Sequence, residues 1–181
     1  MAAKDGMFYA AKGKPDPVVK PGEFVFSAVG LDHGHIYGMT SGLLDAGATL
    51  KYVYDPDPQK VEAYRKAYPQ AESEEQVLAD PETKLVAGAC VTSERAALGI
   101  RVMQAGKDYF TDKAPLTTLE QLEDVKRTIA ETGRKYMVNY SERLQVEAAV
   151  YAGELVQAGA IGKVVQVIGM GPHRLNAPSR P

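Results

Sequence analysis

The chain has 181 residues, with 21 Lys and Arg against 23 Asp and Glu, so its formal net charge at neutral pH is −2. Hydrophobic residues make up 45% of it, a composition typical of a folded globular protein. The charge balance argues against a nucleic-acid partner or an anionic membrane surface, because both need clustered Lys and Arg. The single cysteine excludes a disulfide framework and a cysteine-built zinc site. Without an apolar run of ~20 residues or the apolar core of a signal peptide, we expect no membrane contact and a cytoplasmic location.

The predicted elements begin after an N-terminal segment of different character. Residues 1–22 contain three Pro and four Lys and show little periodicity, which predicts an arm or tail. From Glu23 onwards, the predicted strands are 24–29, 50–54, 85–91, 108–111, 136–139 and 164–169. The predicted helices are 34–46, 58–67, 73–79, 93–105, 118–132 and 146–158, with Asp57, Ser73 and Ser93 as N-caps.

Strands and helices that alternate at this spacing indicate βαβ units and therefore a parallel sheet. We predict an α/β fold, a Rossmann-type doubly wound parallel sheet, over residues 23–140, with about six strands before residue 141. Residues 141–181 are expected to hold only the start of a second α/β domain, truncated here, for substrate binding and oligomerisation.

The loop after the first predicted strand, residues 30–35 (GLDHGH), stands where a doubly wound fold binds dinucleotide phosphates. Of the G-x-G-x-x-G pattern only Gly30 is in frame, because Asp32 and His35 replace the other two glycines and Gly34 is one place early. The loop follows a strand and opens a helix, so we predict that Gly30, Asp32, Gly34 and His35 form a cofactor-binding turn. The Asp32 carboxylate would repel a diphosphate, and we expect it to point away and cap the helix.

The same loop raises the question of a metal site. Asp32, His33 and His35 place three potential ligands in four residues, but no fourth ligand is evident, and we predict no metal. Because His35 lies near a helix N-terminus, its neutral form should be favoured. It could then donate one hydrogen bond to a phosphate or to a substrate.

Asp55 ends the second predicted strand, 25 residues after Gly30. That spacing is near the ~20 residues expected for a carboxylate that binds a ribose hydroxyl pair. A plain helix-capping role is the alternative. A carboxylate here would repel a 2′-phosphate, and no Arg or Lys follows directly, so the sequence favours NAD over NADP without excluding NADP.

Residues 85–118 (LVAGACVTSERAALGIRVMQAGKDYFTDKAPLTT) resemble the glucose–fructose oxidoreductase/inositol dehydrogenase family (Gfo/Idh/MocA). Members typically have an apolar strand that ends in Thr-Pro, a helix that ends in Ala-Gly-Lys, a strand, and then Glu-Lys-Pro-Leu. Thr92, residues 105–107 (AGK) and residues 112–116 (DKAPL) occupy those places. The segments YVYDPDPQKVEAY, MVNYSERL and VQAGAIGKVVQVIG extend the resemblance over about residues 24–170.

The resemblance implies NAD(P)-dependent hydride transfer at a sugar or cyclitol carbon, in a homo-oligomer built through a C-terminal sheet. Lys113 matches the family's motif lysine, which implies a catalytic and cofactor-contacting role, and Thr92 is assigned to the cofactor site in the same way. A lysine there could bind the substrate hydroxyl or share in its proton transfer. This sequence departs from the pattern at Ala114, between Lys113 and Pro115, and at Ser93, where members usually have Pro. Nothing in it matches the Asp and His of the family's C-terminal domain.

Two alternatives remain open from the residues. A complete short chain would be a non-catalytic dinucleotide-binding or regulatory module, since most of a substrate pocket is missing. A Rossmann domain that binds S-adenosylmethionine would use Asp55 equally well, because both cofactors present a ribose, although the DKAP segment argues against it. If the strand at 164–167 stayed unpaired, the chain made alone should be poorly soluble or oligomeric.

Overall fold

A computed structural model of the chain describes residues 16–62, 64, 68–141, 143 and 146–170. They fall into two compact units, residues 16–139 and residues 140–170. The strands are β1 (Val25–Val29), β2 (Thr49–Tyr54), β3 (Thr83–Gly88), β4 (Asp108–Asp112) and β5 (Tyr136–Asn139). The helices are α1 (His35–Asp45), α2 (Pro58–Val61), α3 (Glu74–Ala79), α4 (Arg95–Gln104), α5 (Leu119–Thr132) and α6 (Glu147–Gln157).

The five strands of the first unit form one parallel sheet in the order β2-β1-β3-β4-β5. The α/β, Rossmann-type prediction is confirmed, but the described residues contain five strands before residue 141 and not about six. The strand order reverses between β1 and β3, so the crevice where ligands bind in such sheets opens at the carboxyl ends of these two strands.

Alternating side chains of the central strands bury the two faces of the sheet in different clusters. On one face, Phe26 and Ala28 of β1 lie in a core with Ile36 and Met39 of α1. On the other face, Val29 and the β3 residue Val86 pack with residues of α3 and α4, including Val77, Leu98 and Val102. Helices therefore cover both faces, which explains why the central strands are apolar throughout.

Several predicted boundaries agree with the structure at their caps. Asp57 accepts a hydrogen bond from the Gln59 amide at the start of α2, and Ser73 does the same for Gln76 at α3. Gly133 ends α5 with a φ of +67°, the left-handed conformation that favours glycine. Part of the predicted 58–67 helix lies outside the described residues.

One predicted cap is wrong. Ser93 does not cap α4, because residues 92–94 form a 3₁₀ turn and Glu94 holds the N-cap position without a side-chain hydrogen bond. Helix α5 carries apolar residues at helical spacing, but only part of that stripe is buried: Leu119 is 81% exposed, whereas Val125 packs with Ala96 and Met103 of α4.

In the second unit, α6 occurs as predicted, but the predicted strand 164–169 does not form. Residues 164–170 are exposed and have no strand partner among the described residues. A strand exists only through its neighbours' hydrogen bonds, so apolar β-branched residues alone do not produce one.

The predicted arm is partly visible. The Val18 amide donates to the Ala46 carbonyl (2.9 Å) and the Gly22 amide to the Thr49 hydroxyl (2.9 Å), while residues 1–15 lie outside the described part. Within that part, no helix combines the length and the apolar character that crossing a bilayer requires. The domain boundaries at 22 and 140 stay predictions.

Candidate functional site

The turn between β1 and α1 is shaped by Gly30. Its φ is +76°, and a Cβ built there would lie 2.8 Å from the Cβ of Cys90. Both the backbone conformation and the close approach therefore demand glycine. This requirement is internal to the protein, so Gly30 shapes the predicted phosphate turn whether or not a ligand is bound.

Gly34 differs from Gly30 in both respects. It is the N-cap of α1 with an ordinary helical conformation (φ −59°, ψ −13°), and a Cβ there would meet nothing within 4 Å. The protein alone therefore does not need glycine at this position. The open space lies against the backbone at the start of α1, which is where a dinucleotide phosphate would approach.

Most amide donors of this turn are already used inside the protein. The amide of Gly30 donates to Tyr54 O (3.1 Å), that of Leu31 to Asp55 Oδ2 (2.7 Å), and that of His33 to Ala89 O (2.9 Å). The first helical amides are also engaged, by His33 and Gly34. Among the described residues, the amides of Asp32 and Gly34 have no acceptor.

Asp55, at the end of β2, holds this turn in place. Its Oδ2 accepts the Leu31 amide and its Oδ1 accepts the Asp57 amide (2.9 Å), and only 1% of its side chain is exposed. A carboxylate has about four acceptor positions, so two such bonds leave capacity for a ribose hydroxyl. The position of Asp55 suits the predicted ribose contact. The hydrogen bonds that the structure shows, however, fix the turn between β1 and α1.

Asp32 does not cap α1, contrary to expectation. Its Oδ2 accepts the Val91 amide (3.1 Å), and its Oδ1 lies 2.5 Å from Lys60 Nζ. The turn's backbone aims this carboxylate across the crevice towards the end of β3 and towards α2, away from the α1 amides. The hydrogen bond to Asp32 raises the pKa of Lys60 above its usual value. Lys60 therefore stays charged and offsets the negative charge that Asp32 brings to the turn.

A cavity of about 360 Å³ opens beside this turn, at the carboxyl ends of β1, β2 and β3. Its walls include Tyr54 and Asp55 on one side and Val91 and Leu98 on the other. Cys90 also lines it, and burial raises the pKa of its thiol to about 11, so the thiol is protonated at neutral pH. Six of the fourteen lining residues are charged and most of the others are apolar, so the cavity offers apolar surface to a base and polar groups to a ribose.

A second group of polar side chains lies at the end of β4. Asp112 is fully buried, and its Oδ1 lies 2.9 Å from Nδ1 of His35. Its Oδ2 lies 3.4 Å from Nδ1 of His33 and 3.3 Å from the guanidinium of Arg95, which is 3% exposed. We call Asp112, His33, His35 and Arg95 the Asp112 cluster.

Arg95 ties this cluster to two loops. Its Nε donates to Cys90 O (2.7 Å), and Nη1 donates to Ala114 O (3.1 Å) in the segment that follows Lys113. One buried guanidinium thus joins the ends of β3 and β4 and holds the segment after the motif lysine. The Lys113–Ala114 peptide bond itself is cis.

The ligand-type atoms of His33, His35 and Asp112 lie within 4.8 Å of one another, a donor set that metal sites also use. Two contacts favour hydrogen bonding within the cluster instead. The guanidinium of Arg95 already lies on the carboxylate, and the His35 amide donates to His33 Nδ1 (3.2 Å). A cation bound through these atoms would have to displace the Arg95 guanidinium from Asp112 and the His35 amide from His33 Nδ1.

The structure brings together only some of the residues that the sequence predicted. Gly30, Asp32 and Asp55 line the cavity, Gly34 and His35 lie at the start of α1, and Lys113 directly follows β4. Thr92 lies in the 3₁₀ turn after β3, outside the cavity wall. Sequence analysis missed Arg95 and Asp112, although an acid next to the motif lysine at the end of a strand was a usable signal for Asp112.

These residues fit a dinucleotide. The open space at Gly34, the cavity, and the amides of Asp32 and Gly34, for which the described residues provide no acceptor, leave room for phosphates and for a nucleoside. Four carboxylates line the cavity, and two of them are paired with cations that also line it, Asp32 with Lys60 and Glu74 with Arg101.

Comparisons with known proteins agree with this geometry. Residues 29–140 match a family described as the oxidoreductase family with an NAD-binding Rossmann fold (GFO_IDH_MocA). A crystal structure from Erwinia carotovora atroseptica SCRI1043, provisionally described as an oxidoreductase, is 47% identical over 88% of this chain, with a TM-score of 0.83. A protein from Sinorhizobium meliloti 1021, provisionally described as a myo-inositol dehydrogenase, is 25% identical over 77% of the chain, with a TM-score of 0.67.

A third structure shows the fold alone. The WlbA dehydrogenase from Bordetella pertussis, solved with NADH and UDP-GlcNAcA, is 18% identical over 78% of the chain, with a TM-score of 0.68. This chain covers 48%, 42% and 43% of those three chains respectively, so it spans about half their length. A comparison with curated proteins gave no match.

Proposed function

Because the chain belongs to the oxidoreductase family with the NAD-binding Rossmann fold, we propose that it is the cofactor-binding part of an NAD(P)-dependent dehydrogenase. Its substrate is a sugar or a cyclitol-like polyol. The observation that carries this proposal is the position of Lys113, which follows β4 directly. The carboxyl ends of parallel strands lie at one edge of the sheet, so Lys113 shares its edge with the cavity.

The cofactor half of the site uses the residues around β1 and β2. Gly30 gives the turn its shape, and Gly34 leaves the backbone open where the diphosphate would lie. Asp55 would accept a ribose hydroxyl at the cavity wall. Its negative charge beside the 2′ position favours NAD over NADP.

The reacting half lies at the end of β4. The nicotinamide supplies or accepts the hydride when the cofactor is bound. Lys113 then binds the substrate hydroxyl and takes part in moving its proton, while Arg95 holds the segment after Lys113 through the Ala114 carbonyl. Thr92 is assigned to the cofactor site only through its place in the family pattern.

The substrate class has weaker support than the chemistry. It is supported by the likeness to the protein described as a myo-inositol dehydrogenase, at 25% identity. A polyol, whose hydroxyls donate and accept hydrogen bonds, suits a site with Lys113 at the end of β4 and the partly exposed imidazole of His35 at the start of α1. Self-association through a C-terminal sheet and a cytoplasmic location stay predictions, the first of which a light-scattering mass would test.

The test uses the full-length protein that contains this chain. NADH binding is followed by fluorescence, and a panel of sugars and cyclitols is screened for reduction of NAD and of NADP. Lys113→Met should lower kcat at least about 100-fold, the usual contribution of a positioned proton-transfer group. The matched control is Lys126→Met, because Lys126 lies on α5 and bonds only to the exposed Glu123.

The possible results of these assays distinguish the three candidate functions. Turnover that depends on Lys113 and not on Lys126 supports the dehydrogenase. Tight NADH binding without turnover of any polyol in the panel supports the non-catalytic module. Binding of S-adenosylmethionine in preference to NADH would contradict both.

A further inference from the structure

The stretch of chain that follows Lys113 is held by side chains from two other elements. Nη1 of Arg95, at the start of α4, donates a hydrogen bond to the carbonyl of Ala114 (3.1 Å). The hydroxyl of Tyr136, the first residue of β5, donates one to the carbonyl of Pro115 (3.1 Å). Two consecutive carbonyls are therefore fixed independently, one from each side of β4.

The rest of this stretch, which we call the Lys113 loop (residues 114–117), is also anchored. Leu116 is partly buried against the apolar cluster between α4 and α5. The amide of Thr117 donates to Oε1 of Gln121 (2.8 Å), and Nε2 of the same glutamine donates to the carbonyl of Ser93 (3.0 Å). Each residue of the loop thus has an anchor outside the loop.

The backbone at Lys113 lies between two fixed points. The preceding residue, Asp112, is fully buried and is bonded to the guanidinium of Arg95. The following residue is fixed at its carbonyl by the same guanidinium. A group that moves a proton must be placed accurately, because a displacement of about 1 Å can lower the rate about 100-fold. The anchors of the loop meet that need.

The ring of Tyr136 is seated so that its hydroxyl reaches the loop. It lies against α4 at Gly99, where an added Cβ would be 2.4 Å from the ring carbon Cε2. Its other neighbour is Tyr109, whose ring it meets edge-on with centroids 5.2 Å apart. Burial raises the pKa of the Tyr136 hydroxyl, so the hydroxyl keeps its proton near neutral pH and can donate it to a carbonyl. Packing fixes the ring, and the ring fixes the donor.

We propose that Tyr136 is a positioning residue for Lys113: by holding the carbonyl of Pro115, it fixes the direction in which the chain leaves β4 and with it the place of the lysine amine at the substrate hydroxyl. The inference rests on the proposed function, because it takes from there the role of Lys113. Arg95 holds the same loop but also bonds to the ends of two strands, so its replacement would disturb more than the loop. The single hydrogen bond of the Tyr136 hydroxyl among the described residues allows a cleaner test.

The first experiment measures kcat and NADH binding in the full-length protein. Tyr136→Phe keeps the ring and removes the hydroxyl, so kcat should fall about tenfold while the Kd for NADH stays within about twofold. The cofactor cavity lies at β1, β2 and β3, whereas β5 is the edge strand beyond β4. Equal weakening of kcat and of NADH binding would mean that the hydroxyl supports the whole unit, and would overturn the proposal.

The matched control is Tyr109→Phe. The hydroxyl of Tyr109 has no hydrogen-bond partner among the described residues, and its ring packs on that of Tyr136. Removing this hydroxyl should therefore leave kcat unchanged. A fall in kcat as large as that of Tyr136→Phe would show that loss of any hydroxyl from this pair of rings is enough, and would overturn the role given to Tyr136.

A double-mutant cycle tests whether Tyr136 acts through Lys113. Added to Lys113→Met, the Tyr136→Phe change should lower kcat by less than about twofold, because the group that it positions is already gone. Losses that multiply in the double variant would show that Tyr136 affects turnover by another route, and the proposal would fail.

Proteolysis gives a readout that needs neither substrate nor cofactor. Trypsin cleaves after lysine, so a cut after Lys113, identified by the masses of the fragments, reports opening of the loop. Loss of one hydrogen bond should raise the initial rate of this cut about fivefold in Tyr136→Phe. The cut after Lys126, on α5, is the internal control and should keep its rate. An unchanged rate at Lys113, or an equal rise at both lysines, contradicts the proposal.

Failure of this inference can be told apart from failure of the proposed function. Turnover that depends on Lys113 but not on Tyr136 overturns the positioning role and leaves the dehydrogenase intact. Turnover that is indifferent to Lys113→Met, or no turnover of any polyol in the panel, overturns both.

Discussion

The carboxyl ends of β2 and β4 each carry a buried aspartate, but the two carboxylates have different kinds of partner. Asp55 accepts two hydrogen bonds from the backbone amides of Leu31 and Asp57, and its one charged side-chain contact among the described residues is Lys60, at 3.8 Å. Asp112 instead has side-chain partners: the imidazole of His35 lies against one oxygen, and the guanidinium of Arg95 donates to the other. Backbone amides do not titrate and do not move independently, so Asp55 makes the cofactor turn rigid. Side-chain partners come from separate segments, so the same residue type at β4 joins the start of α1 to the start of α4.

The largest expected effect is at Asp112. Asp112→Asn removes the charge that neutralises Arg95, which is 3% exposed, so a buried guanidinium is left uncompensated. We expect a loss of about 3–5 kcal/mol in the free energy of unfolding, measured by urea denaturation. Asp55→Asn, which disturbs two amide bonds and a 3.8 Å contact with the partly exposed Lys60, should cost about 1–3 kcal/mol. Equal losses at the two sites would contradict the distinction between them.

The two glycines of the turn allow a second comparison, between Gly30, which the fold requires, and Gly34, which it does not. Gly30→Ala forces a side chain into a left-handed conformation and against Cys90, so it should lower the free energy of unfolding by about 2–3 kcal/mol. Gly34→Ala has neither conflict, and the loss of a favoured N-cap residue is offset by the lower entropy of the unfolded chain, so it should change this free energy by less than about 1 kcal/mol. NADH titration should nevertheless show weaker binding for Gly34→Ala. Unchanged binding there would mean that the diphosphate does not approach this backbone.

Cys90 lies between the two regions, against Gly30 and with its carbonyl on Arg95. Burial raises the pKa of its thiol from 9.0 to about 11, so the folded state holds this proton more tightly than the unfolded state. Stability from this group is complete below about pH 9 and is lost as the pH rises towards 11, by about 2 kcal/mol. Cys90→Ala should remove part of the alkaline loss of stability in denaturation curves. Tyr109, whose pKa burial also raises, should leave a residual alkaline effect.

The smallest effect is expected away from both sites, on the outer surface of α5. Leu119 is 81% exposed although it belongs to the apolar stripe of the sequence. Leu119→Gln should therefore change the free energy of unfolding by less than about 0.5 kcal/mol, whereas Val125→Ala, at a buried position, should cost about 1–3 kcal/mol. A large effect at Leu119 in the full-length protein would show that another surface covers it there.

Much of the cofactor side could be predicted because its signals are local. A strand, a glycine with its turn and an acid at the end of the next strand follow one another within residues 24–55. The Asp112 cluster could not be predicted in the same way, since His35 and Asp112 are 77 residues apart. Asp32 was misjudged for a related reason: its partners, Val91 and Lys60, come from two other segments. The untested roles of Thr92 and Lys113 rest on family pattern.

The sequence by itself determined the alternation of strands and helices, most of their caps, and the family. Each of these depends on residues that are close together in the sequence. Only the tertiary structure decided which polar groups meet. It paired Asp32 with Lys60 and placed Arg95 and His35 on Asp112, and it gave residues 164–170 no strand partner within the part of the chain that is described. The physical reason is that hydrogen bonds and ion pairs between distant segments depend on which strands lie side by side, and local periodicity carries no information about that order.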